Sequence, residues 1–176
     1  MPKRVSLSGQ QLSMEDISLH YQDFRQSLIA YFDNRNLSRF SGYTTSELIA
    51  ELQERLDEID KISAFNTLAA IEAALRVDYL HRCQGRKKDK LSRKFRTAFK
   101  ARGPRIGLED EILEIWKTHD PDLRLIIGHL RGALKFRHWL AHGRYWEPKL
   151  GQKYDFAVVY ALAEEVLKSF PLESRL

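Results

Sequence analysis

Apolar residues recur at three- and four-residue intervals in nearly every segment of this chain, and strict alternation over strand lengths is scarce, so the pattern predicts helices throughout and no sheet. The first helix is expected from Met14 to Phe32, with Ser13 and Glu15-Asp16 suiting its start and Ile17, Tyr21, Phe24, Leu28 and Phe32 forming one stripe. Asn34 to Tyr43 reads as a loop. Thr44-Thr-Ser-Glu47 has the form of a capping box, in which hydroxyl and carboxylate each satisfy a free backbone N–H, and a long helix should begin there. Its stripe runs through Leu48, Leu52, Leu56, Ile59, Ile62 and Phe65, then through Leu68, Ile71, Leu75 and Tyr79 towards Gln84. A break near Ser63 to Asn66 fits a run of that length.

Asp89 to Arg102 is expected to be a short basic helix with Leu91, Phe95 and Phe99 on one side, ended by Gly103-Pro104. Leu108 to His119 forms another, and Asp120-Pro121 supplies the cap and first-turn proline of the next. That helix carries Leu123, Ile126, Ile127, Leu130, Leu134 and Phe136 into Arg137-His-Trp-Leu-Ala-His142, and Gly143 suits the left-handed residue that closes a helix. A last helix spans Asp155 to Phe170, ahead of Pro171. The expected architecture is all-α, a single-domain bundle of five to six helices over residues 13–176, with residues 1–12 as a flexible N-terminal arm.

Composition narrows the class. A chain of 176 residues with 43% apolar and 30% charged residues supports one core, which at this size hides roughly 70% of the surface of the unfolded chain. The start of the chain has early cations but no apolar run behind them, so no secretory signal is expected. No apolar stretch approaches the roughly 20 residues of a membrane span. Cys83 is the only cysteine, which excludes an internal disulfide and a Cys-based zinc finger and fits a reducing, cytoplasmic setting. Walker and dinucleotide-binding glycine patterns are absent, as is Gly-x-Ser-x-Gly.

Charge is unevenly spread along the chain. The net charge is +5, but Arg82 to Arg105 holds eleven Lys or Arg and one acid, Asp89, leaving 18 basic and 23 acidic residues elsewhere. A basic segment at 82–105 on an otherwise acidic protein attracts polyanions by pairing with phosphates and releasing counterions, which points to nucleic acid. Arg86, Lys87, Lys88, Lys90, Arg93 and Lys94 are the expected RNA-binding residues, positioning the strand rather than reading its sequence.

The chemistry-bearing segment is Phe136-Arg-His-Trp-Leu-Ala-His-Gly-Arg-Tyr145. Five residues separate Arg137 from His142, about 140° around an ideal helix, so the two do not share a face by default. Histidine exchanges protons near neutral pH and guanidinium presents parallel donors to phosphate oxygens, which is what RNA cleavage through the neighbouring 2′-hydroxyl requires. His138 and His142 are also spaced to suit two metal ligands, but neither cysteines nor a second tight pair accompany them, and no metal or other cofactor is expected. Trp139, Leu140, Tyr145 and Trp146 are expected to pack the helix end.

Arg137-His-Trp-Leu-Ala-His142 resembles the R-x4-6-H signature of the HEPN superfamily, with His138 at its polar second position. The resemblance implies a helical bundle, commonly a homodimer, in which two copies of the motif meet to form a metal-independent ribonuclease site, often in toxins or antiphage effectors. It makes Arg137 and His142 catalytic and His138 their polar helper. Glu72 or Arg76 on an earlier helix would support them. One HEPN branch carries a tyrosine modified by its antitoxin at the position that here is Arg144. Tyr145, one place later, departs from that pattern, which puts dependence on such an antitoxin in doubt, but the resemblance keeps Tyr145 as a supporting residue and an antitoxin or regulatory protein among the candidate partners. The alternative is a non-catalytic HEPN-like module that binds RNA or protein.

Overall fold

Two capping boxes set the frame. Ser13 accepts from the Asp16 amide while the Asp16 carboxylate accepts from the Ser13 amide, opening α1 (Met14–Asp33), and Thr44 and Glu47 do the same for α2 (Thr45–Gln84). α3 (Lys90–Arg102) is capped by the Asp89 side chain and α6 (Phe156–Ser169) by Asp155. A single π-helical turn, Leu108–Ile112, leads into α4 (Leu113–His119), and a 3-10 turn, Pro121–Leu123, leads into α5 (Arg124–Ala141). The computed structural model describes residues 7–34 and 38–173, and among these there is no strand. Six helices form one compact all-α unit. Residues 1–6 of the expected arm lie outside the described residues; residues 7–12 adopt no regular secondary structure and are exposed.

α2 is the centre of the arrangement. It packs against α1, α3, α5 and α6, and it runs unbroken for 40 residues. The break expected near Ser63 to Asn66 does not occur: Ser63 is buried, and the Thr67 hydroxyl donates to the Ser63 carbonyl at 2.8 Å, so the polar side chains are absorbed within the helix. The main core joins Leu68, Ile71, Leu75 and Tyr79 of α2 to Phe95, Trp116, Ile127, Leu130 and Val159. Trp116 meets Phe95 and Phe170 edge-on, at centroid distances of 6.1 and 5.1 Å. Two members of the expected stripes face out instead: Phe24 is 62% and Ile62 50% exposed, because α1 covers only part of the outer side of α2.

A buried ionic anchor fastens the end of the chain to α2. Asp78, fully buried, accepts from Arg82 Nε through both oxygens (3.0 and 2.9 Å) and from the Glu173 amide at 2.8 Å. Arg82 also donates to the Pro171 carbonyl at 2.7 Å, and its guanidinium lies 5.3 Å from the Trp116 ring centroid. No described helix is long and apolar enough to cross a membrane.

Candidate functional site

α5 ends as its composition demands. His142 caps it, Gly143 takes φ +80°, and the Arg144 amide donates to the Trp139 carbonyl at 3.2 Å, which reproduces the hydrogen bond of a Schellman motif. Arg144 is itself left-handed, at φ +60°, a conformation costly for a residue with a Cβ. Its side chain supplies the compensating contact, a two-pronged pair with Glu58 of α2 at 2.6 and 2.8 Å. No local signal announces this pair, since 86 residues separate its members.

Farther back on α5, Arg137 turns towards α2. Its Nη2 lies 3.0 Å from Glu72 Oε2, and its guanidinium carbon lies 5.7 Å from the Phe65 ring centroid. Glu72 Oε1 accepts from Arg76 Nε at 2.7 Å, and Arg76 also donates to the Ile106 carbonyl at 3.0 Å. One carboxylate therefore serves two guanidiniums, and the cluster keeps a surplus positive charge that suits a phosphate. Arg137 Nε, shielded from solvent, has no acceptor among the described residues.

The histidines occupy the other side of α5. His138 and His142 are both exposed, with ring centroids 4.2 Å apart, and His138 lies 6.1 Å from Trp146. The Trp139 indole N–H donates to the Trp146 carbonyl at 2.7 Å and holds the loop after α5 against the helix. Leu140 is buried and the two tryptophans are half-buried, but Tyr145, expected to pack here, is 84% exposed and touches only the edge of Trp146, at 4.7 Å between centroids. The loop turns at Gly143 and Arg144, both at positive φ, just before Tyr145.

The structure thus brings Arg137, Glu72 and Arg76 together, and separately His138, His142 and Trp146. No hydrogen bond or ion pair joins Arg137 to His142 among the described residues. No described group of three or more His, Cys, Asp or Glu side chains is gathered to hold a metal ion. Burial pushes the Cys83 thiol up to about 11, which disfavours the thiolate a nucleophile would need.

The basic segment divides into two kinds of residue. Arg82 is consumed in the buried anchor, and Arg96 donates to the carbonyls of Arg82, Gly85 and Lys87, clasping the loop between α2 and α3. Arg86, Lys88, Lys90 and Arg93 are exposed and form no ion pair among the described residues. Lys87 lies 3.3 Å from Glu173, and Lys94 reaches the Thr118 carbonyl at 3.5 Å, yet both remain exposed.

The hydrogen bond from Arg144 holds the Glu58 carboxyl below its ordinary 4.5. A carboxyl that ionises at lower pH when folded contributes stability above the unfolded value and loses it as pH falls through the folded one. Hydrogen-exchange protection of residues 143–147 should therefore persist at pH 4.5 and fall only below it, and Glu58→Gln should remove this acid dependence. Protection that declines through neutral pH would contradict the clamp.

The chain matches no described protein family, no curated protein and no solved structure. The HEPN resemblance accordingly rests on the motif and the helix order.

Proposed function

We propose that this protein is a metal-independent endoribonuclease of HEPN type, in which His142 exchanges protons and Arg137 holds the phosphate. The carrying observation is the end of α5, where an R-x4-H motif stands with its histidines exposed and its arginine oriented by Glu72 in a cluster of net positive charge. The 2′-hydroxyl loses its proton and attacks the adjacent phosphorus, the bond to the 5′-oxygen breaks, and that oxygen takes a proton, leaving a 2′,3′-cyclic phosphate and a 5′-hydroxyl. His142 serves this proton traffic and His138, in contact with it, is the polar helper. Because Arg137 and His142 face different sides of α5, the reading includes a homodimer in which one protomer's histidines meet the other's arginine. Arg86, Lys87, Lys88, Lys90, Arg93 and Lys94 position the strand, and the biological setting this reading suggests is a toxin or antiphage effector restrained by a partner protein.

The test is cleavage of mixed RNA in EDTA by wild type and His142→Ala, with the product ends identified. Wild type should cut and leave 2′,3′-cyclic phosphates, and loss of the histidine should lower the rate by about 10²- to 10⁴-fold without unfolding the protein. Equal cleavage by the two, or none by a folded dimeric wild type, sinks the proposal. A second reading is favoured by the Arg137–Glu72 pair itself, which is also what a structural ion pair looks like. In that reading the chain is a non-catalytic helical module binding RNA or protein, and Arg137→Ala and His142→Ala bind as wild type does.

A further inference from the structure

Beside the histidines lies a cavity of about 390 Å³ that the ribonuclease mechanism does not use. It is lined by Glu109, Lys135, His138, Trp146, Pro148, Lys149 and Leu150. The volume is within the range of small-ligand sites, roughly 300–1,000 Å³. Its lining combines a flat aromatic ring, two lysines and one carboxylate. The aromatic is held in place: the Trp146 backbone accepts from Trp139, and the loop carrying it is pinned by Arg144 on Glu58. Lys135 and Lys149 are exposed and form no ion pair among the described residues. Glu109 comes from the π-helical turn before α4. Arg131 takes its backbone carbonyl at 2.7 Å, but no hydrogen bond or ion pair engages its carboxylate among the described residues.

These groups answer to the parts of a nucleotide. An indole offers a face on which a base stacks, and single-stranded RNA is recognised in this way. Lysines meet the phosphate. A carboxylate accepts hydrogen bonds only, so it selects a base edge that carries donors. Guanine presents two adjacent donors, N1–H and the N2 amino group, and can bind a carboxylate in two-pronged fashion, whereas uracil presents one N–H between two carbonyls that the carboxylate repels.

We infer that this cavity seats one guanosine nucleotide of the RNA, its base stacked on Trp146 and bound through Glu109, its phosphate against Lys135 and Lys149. The inference rests on the ribonuclease reading in taking the ligand to be a unit of its substrate. His138 is common to both places, lining the cavity while its ring lies 4.2 Å from that of His142. The seated nucleotide is then a neighbour of the scissile phosphate, and cleavage acquires a preference for sites beside guanosine.

Calorimetric titration of the full chain with guanosine 3′-monophosphate and with uridine 3′-monophosphate tests this without requiring turnover. Guanosine should bind about tenfold or more tightly than uridine, the discrimination expected of a two-pronged contact. Glu109→Gln should level that preference while leaving the circular dichroism and melting curve unchanged. Trp146→Ala should weaken both nucleotides, and Lys149→Ala should weaken both and reduce their salt dependence. Equal affinity for the two nucleotides in wild type, or a guanosine preference untouched by Glu109→Gln, overturns the assignment. Cleavage of RNA without selective guanosine binding removes the cavity's role and leaves the ribonuclease reading standing. Selective binding without cleavage leaves the cavity standing and removes the ribonuclease.

Discussion

Asp78→Ala is expected to cost about 3–5 kcal/mol of stability, the penalty for removing one partner of a buried ion pair, and to lower the melting temperature by on the order of 10 °C. Asp78 has no exposed surface, and its two oxygens hold the Arg82 head and the Glu173 amide at once. Without it Arg82, 7% exposed, keeps its hydrogen bond to the Pro171 carbonyl and its ion pair with Glu173 but loses its fully buried counterion, and the residues after α6 lose the Glu173 amide bond, one of their ties to α2. Early proteolysis near residue 171 should accompany the destabilisation. The double replacement Asp78→Leu with Arg82→Met, which removes both charges and retains bulk, should recover much of the loss, since apolar pairs often match buried ionic ones. A single variant that melts with wild type would show that the anchor contributes nothing net.

The second large effect concerns Arg137. Arg137→Ala should reduce RNA cleavage by about 10²- to 10³-fold, the usual consequence of removing one preorganised stabiliser of developing charge. Stability should change little, because the side chain is one-third exposed and Glu72 retains Arg76 as a partner. Glu72→Gln separates the two readings of the pair. It leaves Arg137 without the charge that orients it, so the rate should fall by about tenfold, but it raises the local positive charge, so RNA should bind more tightly. A positioning role predicts these opposite movements of rate and affinity. Cleavage at the wild-type rate by a folded Arg137→Ala protein would end Arg137's assignment.

Much of the frame was legible because its signals are local. The box at Thr44 to Glu47 and the start of α1 at Ser13 appear where expected, and Asp89 and Asp155, read as the first residues of their helices, cap them instead; each of these contacts lies within four residues. The break expected at Ser63 to Asn66 rested on the length of the run alone, and a helix surrounded by partners can continue through it, burying Ser63 and turning Thr67 onto its own backbone. Phe24 and Ile62 kept the period of their stripes but not the burial, because period alone does not say how wide the covering helix is. At the site, the motif could be read from the chain, and Glu72 or Arg76 as its neighbour came only from the HEPN resemblance. The sharing of one carboxylate between two guanidiniums could not, since Glu72 and Arg137 lie 65 residues apart in sequence, and the Glu58–Arg144 clamp left no trace at all.

The uninterrupted course of α2 has a consequence for how this chain can change in length. Glu58, Glu72 and Asp78 all project from that one helix, each gripping an arginine or the chain's end. An inserted or deleted residue between them turns everything beyond it by about 100° and displaces it by about 1.5 Å. Any such event between positions 58 and 78 would pull at least one grip out of alignment with its partner, and no loop within that span can absorb the error. The connections around 38–44 and 85–89 carry no such constraint on the three carboxylates. Descendants of this sequence should therefore vary in length there, while the stretch from Glu58 to Asp78 behaves as a ruler whose spacing is inherited unchanged even where its individual residues are replaced.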